Sequence, residues 1–194
     1  MFKFYFLQKK NFTKLKQREI LVYDKSLSEN LIKLLPKKKI EILDTRFLIE
    51  KNTSINILIL FKILIKFRFS MVEYVVEYIN FVKPKIIITH ICNDLKFYTL
   101  KKFFPEIKFI AVQHGRRSLE DHELLNNTNK LKHSNLKCDY FFAHNDKIGK
   151  MYQSIFGGKI FPIGSFDSNN EKKKKSKRYK FLLISNLRVE RSLT

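Results

Sequence analysis

The sequence has no tryptophan and only two cysteines, Cys92 and Cys138, in 194 residues. No disulfide framework can hold the chain, and a reducing compartment is expected. No run of about 18 apolar residues occurs, so no segment reads as a membrane-spanning helix. The longest apolar run is Ile57 to Phe61, resumed past Lys62 by Ile63, Leu64 and Ile65. The N-terminal stretch Met1 to Leu7 is too short and too aromatic for a signal-peptide core and lacks a small-residue cleavage site. These absences point to the cytoplasm, with contact at the inner face of a membrane as a further expectation. Several chemical signatures are also missing. No Gly-x-Gly-x-x-Gly follows the first apolar run, and there is no Walker loop, Gly-x-Ser-x-Gly elbow or Cys-x-x-Cys pair. His90-x-Cys92 and Cys138-x5-His144 do not match usual zinc spacings. Neither a metal nor a cofactor is therefore expected.

What is present is ordinary in hydrophobicity and unusual in charge. Apolar residues make up 44% and charged residues 29%, as in a soluble globular domain. A chain of this length can bury a core without staples. Lys and Arg total 39 against 18 Asp and Glu, a net charge of +21. Such an excess suggests a polyanionic partner, either nucleic acid or an anionic membrane. The nucleic-acid reading weakens on inspection. The count is 31 Lys to 8 Arg, and base and phosphate readers favour the Arg fork. The abundance of Lys, Ile, Asn and Phe is also what AT-rich coding produces. Six basic residues lie in 1–19 and seven in 171–180, and the remaining 165 residues carry 26 basic and 16 acidic side chains. Much of the excess thus belongs to two segments. A non-enzymatic basic module that binds a polyanion is the alternative to an enzyme.

Periodicity predicts alternating strands and helices. Strands are expected at 20–24, 40–43, 85–89, 108–113, 139–143 and 159–163. Helices are expected at 28–35, capped by Ser26 or Ser28, at 53–68, at 71–82, at 94–104 with Asn93 as cap, and at 146–156, stopped by Gly157-Gly158. Residues 115–137 are polar and irregular, with a short helix near 119–125. The pattern defines an α/β protein with a Rossmann-like parallel sheet and flanking helices. It divides into a Rossmann-like N-terminal domain at 1–166 and a basic polar linker at 167–178. Residues 179–194, with a strand at 181–185, read as the opening of a largely missing C-terminal domain.

Ligands of parallel α/β sheets bind outside the carboxyl ends of the strands. Three of the five histidines, His90, His114 and His144, directly follow predicted strands, while His122 and His133 lie in the irregular segment. His114 is the candidate catalytic base, since a neutral imidazole near pH 7 can take a proton from an attacking hydroxyl. Gly115 would let the backbone turn tightly beside a ligand. Arg116 and Arg117 would hold a phosphate or carboxylate. Gln113, His90, Asn93, Asp94, His144, Gly164 and Ser165 complete the candidate binding residues. Asp44-Thr45-Arg46, after the second strand, reads as an ordinary turn. Residues 53–68 read as a basic amphipathic helix, either a sheet cover with a basic edge or a lipid-facing element.

The chain resembles the bacterial surface carbohydrate (surface polysaccharide) biosynthesis proteins. These are similar in layout to transferases of the two-Rossmann-domain GT-B class, including capsule and teichoic-acid polymer enzymes. The matching segments run in order across about 145 residues. They are Ile20-Leu-Val-Tyr-Asp24, Leu43-Asp-Thr-Arg46, Lys83-Pro-Lys-Ile-Ile-Ile-Thr89, Asn93-Asp-x-x-Phe-Tyr98, Phe104-Pro-x-Ile-Lys-Phe-Ile110, Val112-Gln-His-Gly-Arg116, Asp139-Tyr-Phe-Phe-x-His144 and Ile163-Gly-Ser-Phe166. The resemblance implies the N-terminal, acceptor-side half of a GT-B glycosyltransferase. A nucleotide-sugar donor would bind mostly in the other half, and the acceptor would be a glycan or a lipid-linked glycan. It also implies that the His-Gly pair His114-Gly115 supplies the general base. The chain by itself is then expected to be inactive.

Overall fold

The computed structural model describes residues 9–25, 28–45, 54–67, 70–115 and 136–170. In chain order the elements are β1 (Lys9–Asn11), β2 (Ile20–Tyr23), α1 (Glu29–Leu34), β3 (Ile40–Leu43), β4 (Ser54–Asn56), α2 (Ile57–Ile65), α3 (Met71–Val82), β5 (Ile86–Thr89), α4 (Leu95–Leu100), β6 (Lys108–Val112), β7 (Tyr140–Ala143), α5 (Asp146–Phe156), β8 (Lys159–Pro162) and α6 (Phe166–Asn170). Single 3-10 turns at Lys37–Lys39 and Lys101–Phe103 join α1 to β3 and extend α4.

Six strands form one parallel sheet in the order β3-β2-β5-β6-β7-β8. Ile20 of β2 pairs with Ile40 on one side and Ile86 on the other, in register along both neighbours. The fold is thus the Rossmann-like α/β class expected from sequence. Strand sequences such as Ile-Ile-Ile-Thr and Lys-Phe-Ile-Ala-Val are nearly all apolar because both faces of a parallel sheet are covered. Period-two alternation splits them between two cores. Leu21, Tyr23, Ile87, Phe109, Ala111, Phe141 and Ala143 face the larger core, shared with α2, α3, α4 and α5. Val22, Ile88 and Val112 face a smaller one, with Leu31 of α1 and Phe166 of α6 packed on it. Aromatic stacking fills the larger core, where the Tyr98 and Phe156 rings lie parallel with centroids 3.7 Å apart.

Local chemistry sets the helix ends. Asn56 accepts from the Leu58 and Ile59 amides, Ser70 from the Glu73 amide, and Asn145 from the Ile148 amide. Gly157, at φ +66°, ends α5. At the amino end of the sheet, Lys101 pairs with Asp139 at 2.8 Å and donates to the Pro105 carbonyl. Asp139 in turn accepts from the Phe109 amide at 2.7 Å, which ties β6 to β7.

Several boundaries differ from the sequence reading. Residues 54–56 are a strand, not the start of a helix, because they pair in parallel with β1 in a separate two-stranded sheet. The Asn56 side chain then caps a shorter helix. The cap of α4 is Asp94, which accepts from the Lys96 amide, and Asn93 is exposed one residue earlier. Ser28 occupies the cap position of α1 but makes no capping bond, because its hydroxyl donates to the Asp24 carbonyl. Phe166–Asn170 form a short helix where the polar linker was expected to begin. Arg116, Arg117, the helix near 119–125, residues 171–178 and the strand at 181–185 lie outside the described residues.

The buried Cys138 thiol has its pKa pushed up to about 12, mainly by burial. Burial also raises Tyr23 and Tyr78. The unfolded chain releases the thiol proton from about pH 9 while the folded chain keeps it, so stability must fall as pH rises above that point. Urea unfolding midpoints should therefore drop between about pH 9 and pH 11, with a smaller drop in Cys138→Ala. Identical declines in the two proteins would contradict this assignment.

Candidate functional site

The chain leaves β2 for β3 on one side and returns to β5 on the other, so the topological switch lies between β2 and β5. In sheets of this kind the crevice at the carboxyl ends there is the preferred ligand position. After β2, Asp24 sits at φ +71° and is buried. Its carboxylate accepts from Thr45 Oγ1, just beyond β3, at 3.1 Å. Thr45 thus ties the carboxyl end of β3 to that of the parallel strand β2. Tyr23 reaches across the switch and donates its hydroxyl to Asp94 at 3.0 Å. Burial, followed by the Asp94 carboxylate, holds the Tyr23 pKa well above its ordinary value, so it stays a neutral donor.

Beyond β5 and β6 the two histidines converge. His90 is fully buried, and its ring meets the His114 ring edge-on at 5.1 Å. The third member of the group is Asp167. Gly164, at φ +76°, turns the chain after β8, and the Ser165 hydroxyl accepts from the Ser168 amide to start α6. That helix packs Phe166 against His90 at 5.2 Å and brings Asp167 Oδ2 within 3.6 Å of His114 Nδ1 and 3.8 Å of His90 Nε2. Both distances suit ion pairing and exceed a hydrogen bond. The other carboxylate oxygen of Asp167 accepts from Asn30 of α1 at 3.1 Å, which fixes how the group faces the imidazoles. The His90 side chain is wholly enclosed, whereas 39% of His114 and 35% of Asp167 remains accessible.

The remaining candidates divide by role. Gln113 is buried, and both ends of its amide are used internally. Its oxygen accepts from the His144 amide at 2.8 Å, and its nitrogen donates to the Gly115 carbonyl at 2.9 Å. It therefore holds the loops after β6 and β7 together and positions the residues beside it. Gly115 has no left-handed backbone, and a Cβ there would meet nothing within 4 Å among the described residues. The residues that follow Gly115, on which a turn there depends, lie outside the described residues. His144 is half-buried at the end of β7, Asp94 caps α4, and Asn93 is exposed. Gly164 and Ser165 shape the turn into α6. Asp167, Asn30 and Tyr23 were missed in the sequence. The available signal for Asp167 was the strand-end glycine followed by a serine cap, a short-helix start hidden in a polar run.

The cysteines take no part in the site. Cys138 lies at the amino end of β7 and donates to the Tyr140 carbonyl at 3.0 Å. Cys92 contacts the Tyr152 hydroxyl in the larger core. Among the described residues, one group of histidine and acidic side chains converges closely enough to share an ion: His90, His114 and Asp167.

Residues 110–193 match a family model described as "putative O-antigen biosynthesis protein". The match begins in β6 and takes in His114, His144 and Asp167, while His90 precedes it. It covers 84 of the 194 residues and supports a role in surface polysaccharide biosynthesis. No curated protein and no solved structure matches the chain.

Proposed function

We propose that the chain is the acceptor-side part of a glycosyltransferase-like protein of surface polysaccharide biosynthesis. It would transfer a sugar or polyol-phosphate from a nucleotide donor to a glycan or lipid-linked acceptor. The observation that carries this reading is the Asp167 carboxylate beside His114 Nδ1 at the strand-end rim, with His114 still accessible. A carboxylate beside one ring nitrogen favours the proton there and puts the basic lone pair on the other, Nε2. The acceptor oxygen attacks the anomeric carbon, or the phosphorus of a polyol-phosphate donor. Its proton passes to Nε2 as the bond to the nucleotide phosphate breaks. The pairing at 3.6 Å is of the loose kind that tightens when substrate binds. Arg116 and Arg117, next to His114 in the chain, would neutralise donor or acceptor phosphate. The nucleotide would be held mainly by the second domain that the resemblance implies.

Nucleotide-sugar transfer should be assayed on the full polypeptide as it occurs in its source cells. His114→Ala should lower kcat by about 100- to 10,000-fold with little change in KM. Asp167→Asn should give a smaller fall. Normal transfer by His114→Ala would remove the base role.

A lipid-linked acceptor would place the protein at the inner face of a membrane, and α2 suits that position. Leu58, Phe61 and Ile65 are 45%, 62% and 63% exposed along it. Lys62 lies between Phe61 and Ile65 in sequence, and Lys66 follows Ile65 and pairs with Glu77 of α3. Exposed apolar groups beside ammonium groups bind anionic interfaces. The protein should co-sediment with phosphatidylglycerol vesicles more than with phosphatidylcholine vesicles, and Phe61→Asp should weaken the effect. Equal sedimentation of the variant would contradict this role for α2.

A further inference from the structure

The geometry of His90, His114 and Asp167 suits more than proton handling. The donor atoms are His90 Nε2, His114 Nδ1 and one Asp167 oxygen, all within 4.8 Å of one another. They come from three separate places at one rim: the ends of β5 and β6, and α6 beyond β8. Donors around a tetrahedral zinc ion, at metal–ligand distances near 2.0–2.1 Å, stand about 3.3 Å apart. The carboxylate oxygen stands 3.8 Å and 3.6 Å from the two nitrogens, within a few tenths of an ångström of that spacing, and the two imidazole nitrogens, within 4.8 Å of each other, would draw together around the ion. One oxygen facing two imidazoles does not suit an anion, because the carboxylate repels it. A cation between the three is favoured on both counts.

We propose that His90, His114 and Asp167 form a binding site for one divalent transition ion of the zinc class. Two imidazoles and a carboxylate suit zinc, cobalt or iron(II) better than magnesium or calcium, which prefer all-oxygen surroundings. Three protein donors leave a fourth position open to water or substrate, as in reactive rather than purely structural zinc sites. Supporting contacts are already in place. Asn30 holds the outer oxygen of Asp167 at 3.1 Å, and Phe166 packs on the His90 ring. Neither cysteine contributes, which is why a search for cysteine and histidine spacing passes over this site. Occupancy has a chemical consequence. Metal on His114 Nδ1 leaves the proton on Nε2, so an ion-loaded His114 cannot serve as base. Ion binding itself does not depend on the transferase reading, and either can fail while the other stands.

The test is calorimetric titration of the metal-free full chain with zinc, with cobalt(II) absorbance as a report of ligand geometry. One equivalent should bind, with a cobalt spectrum of low coordination number. Asp167→Ala and His114→Ala should each abolish stoichiometric binding while keeping native circular dichroism. Asn30→Ala, which removes only the supporting contact, should weaken binding about 10- to 100-fold. Because His90 is buried and its loss could unfold the chain, the two accessible ligands and Asn30 carry the test. Absence of stoichiometric binding would overturn the proposal. So would binding that persists unchanged in both ligand variants, because the ion would then sit elsewhere.

Discussion

A parallel sheet covered on both faces forces all its strands to end at one rim. Here that constraint runs through six strands, with β2 at the centre of the switch, bonded to β3 on one side and β5 on the other. Every polar residue that follows a strand is therefore delivered to the same edge of the molecule. The strands are apolar on both faces and carry almost no chemistry themselves, so the rim is where the polar groups gather. His90, His114 and His144 reach it by this geometry rather than by any local motif.

The second element of the arrangement is the return of the chain after β8. Gly164 supplies a left-handed turn, Ser165 starts α6, and Phe166 anchors that helix to the smaller core beside His90. Asp167 is placed as a consequence. A carboxylate brought against two imidazoles is costly unless a proton or a cation shares the space. The pair of roles argued above, base and ion ligand, are the two ways of meeting that cost. Asn30 narrows the choice by fixing one carboxylate oxygen and directing the other inward.

The strands were legible because a buried parallel strand reads as a bounded apolar run, as in Ile86 to Thr89 and Lys108 to Val112. The rim histidines were legible for the same reason, since each directly follows such a run. The small sheet of β1 and β4 was not. Lys-Lys-Asn and Ser-Ile-Asn carry no strand pattern, and their pairing joins residues 45 positions apart, as Lys9 with Ser54. Asp94 rather than Asn93 caps α4 because its carboxylate also accepts from Tyr23, a partner 71 residues away that no local reading can supply. Asp167 was hidden in a polar run that resembles a linker, although its neighbour Phe166 is the apolar residue that folds it back. The match over residues 110–193 agrees with the polysaccharide role that the ordered motifs imply, and it takes in two of the three residues at the centre of the site.

The base pairing and the ion site both require α6 to lie over the rim with Phe166 on His90 and His90 on His114. The most direct measurement is a set of ring-to-ring nuclear Overhauser contacts in the selectively labelled full chain. Contacts are expected from the Phe166 ring to the His90 ring, and from the His90 ring to the His114 ring, since these pairs stand edge-on with centroids 5.2 and 5.1 Å apart. Contacts between the two histidines without any to Phe166 would leave Asp167 away from the site. That result would contradict both the base pairing and the ion site.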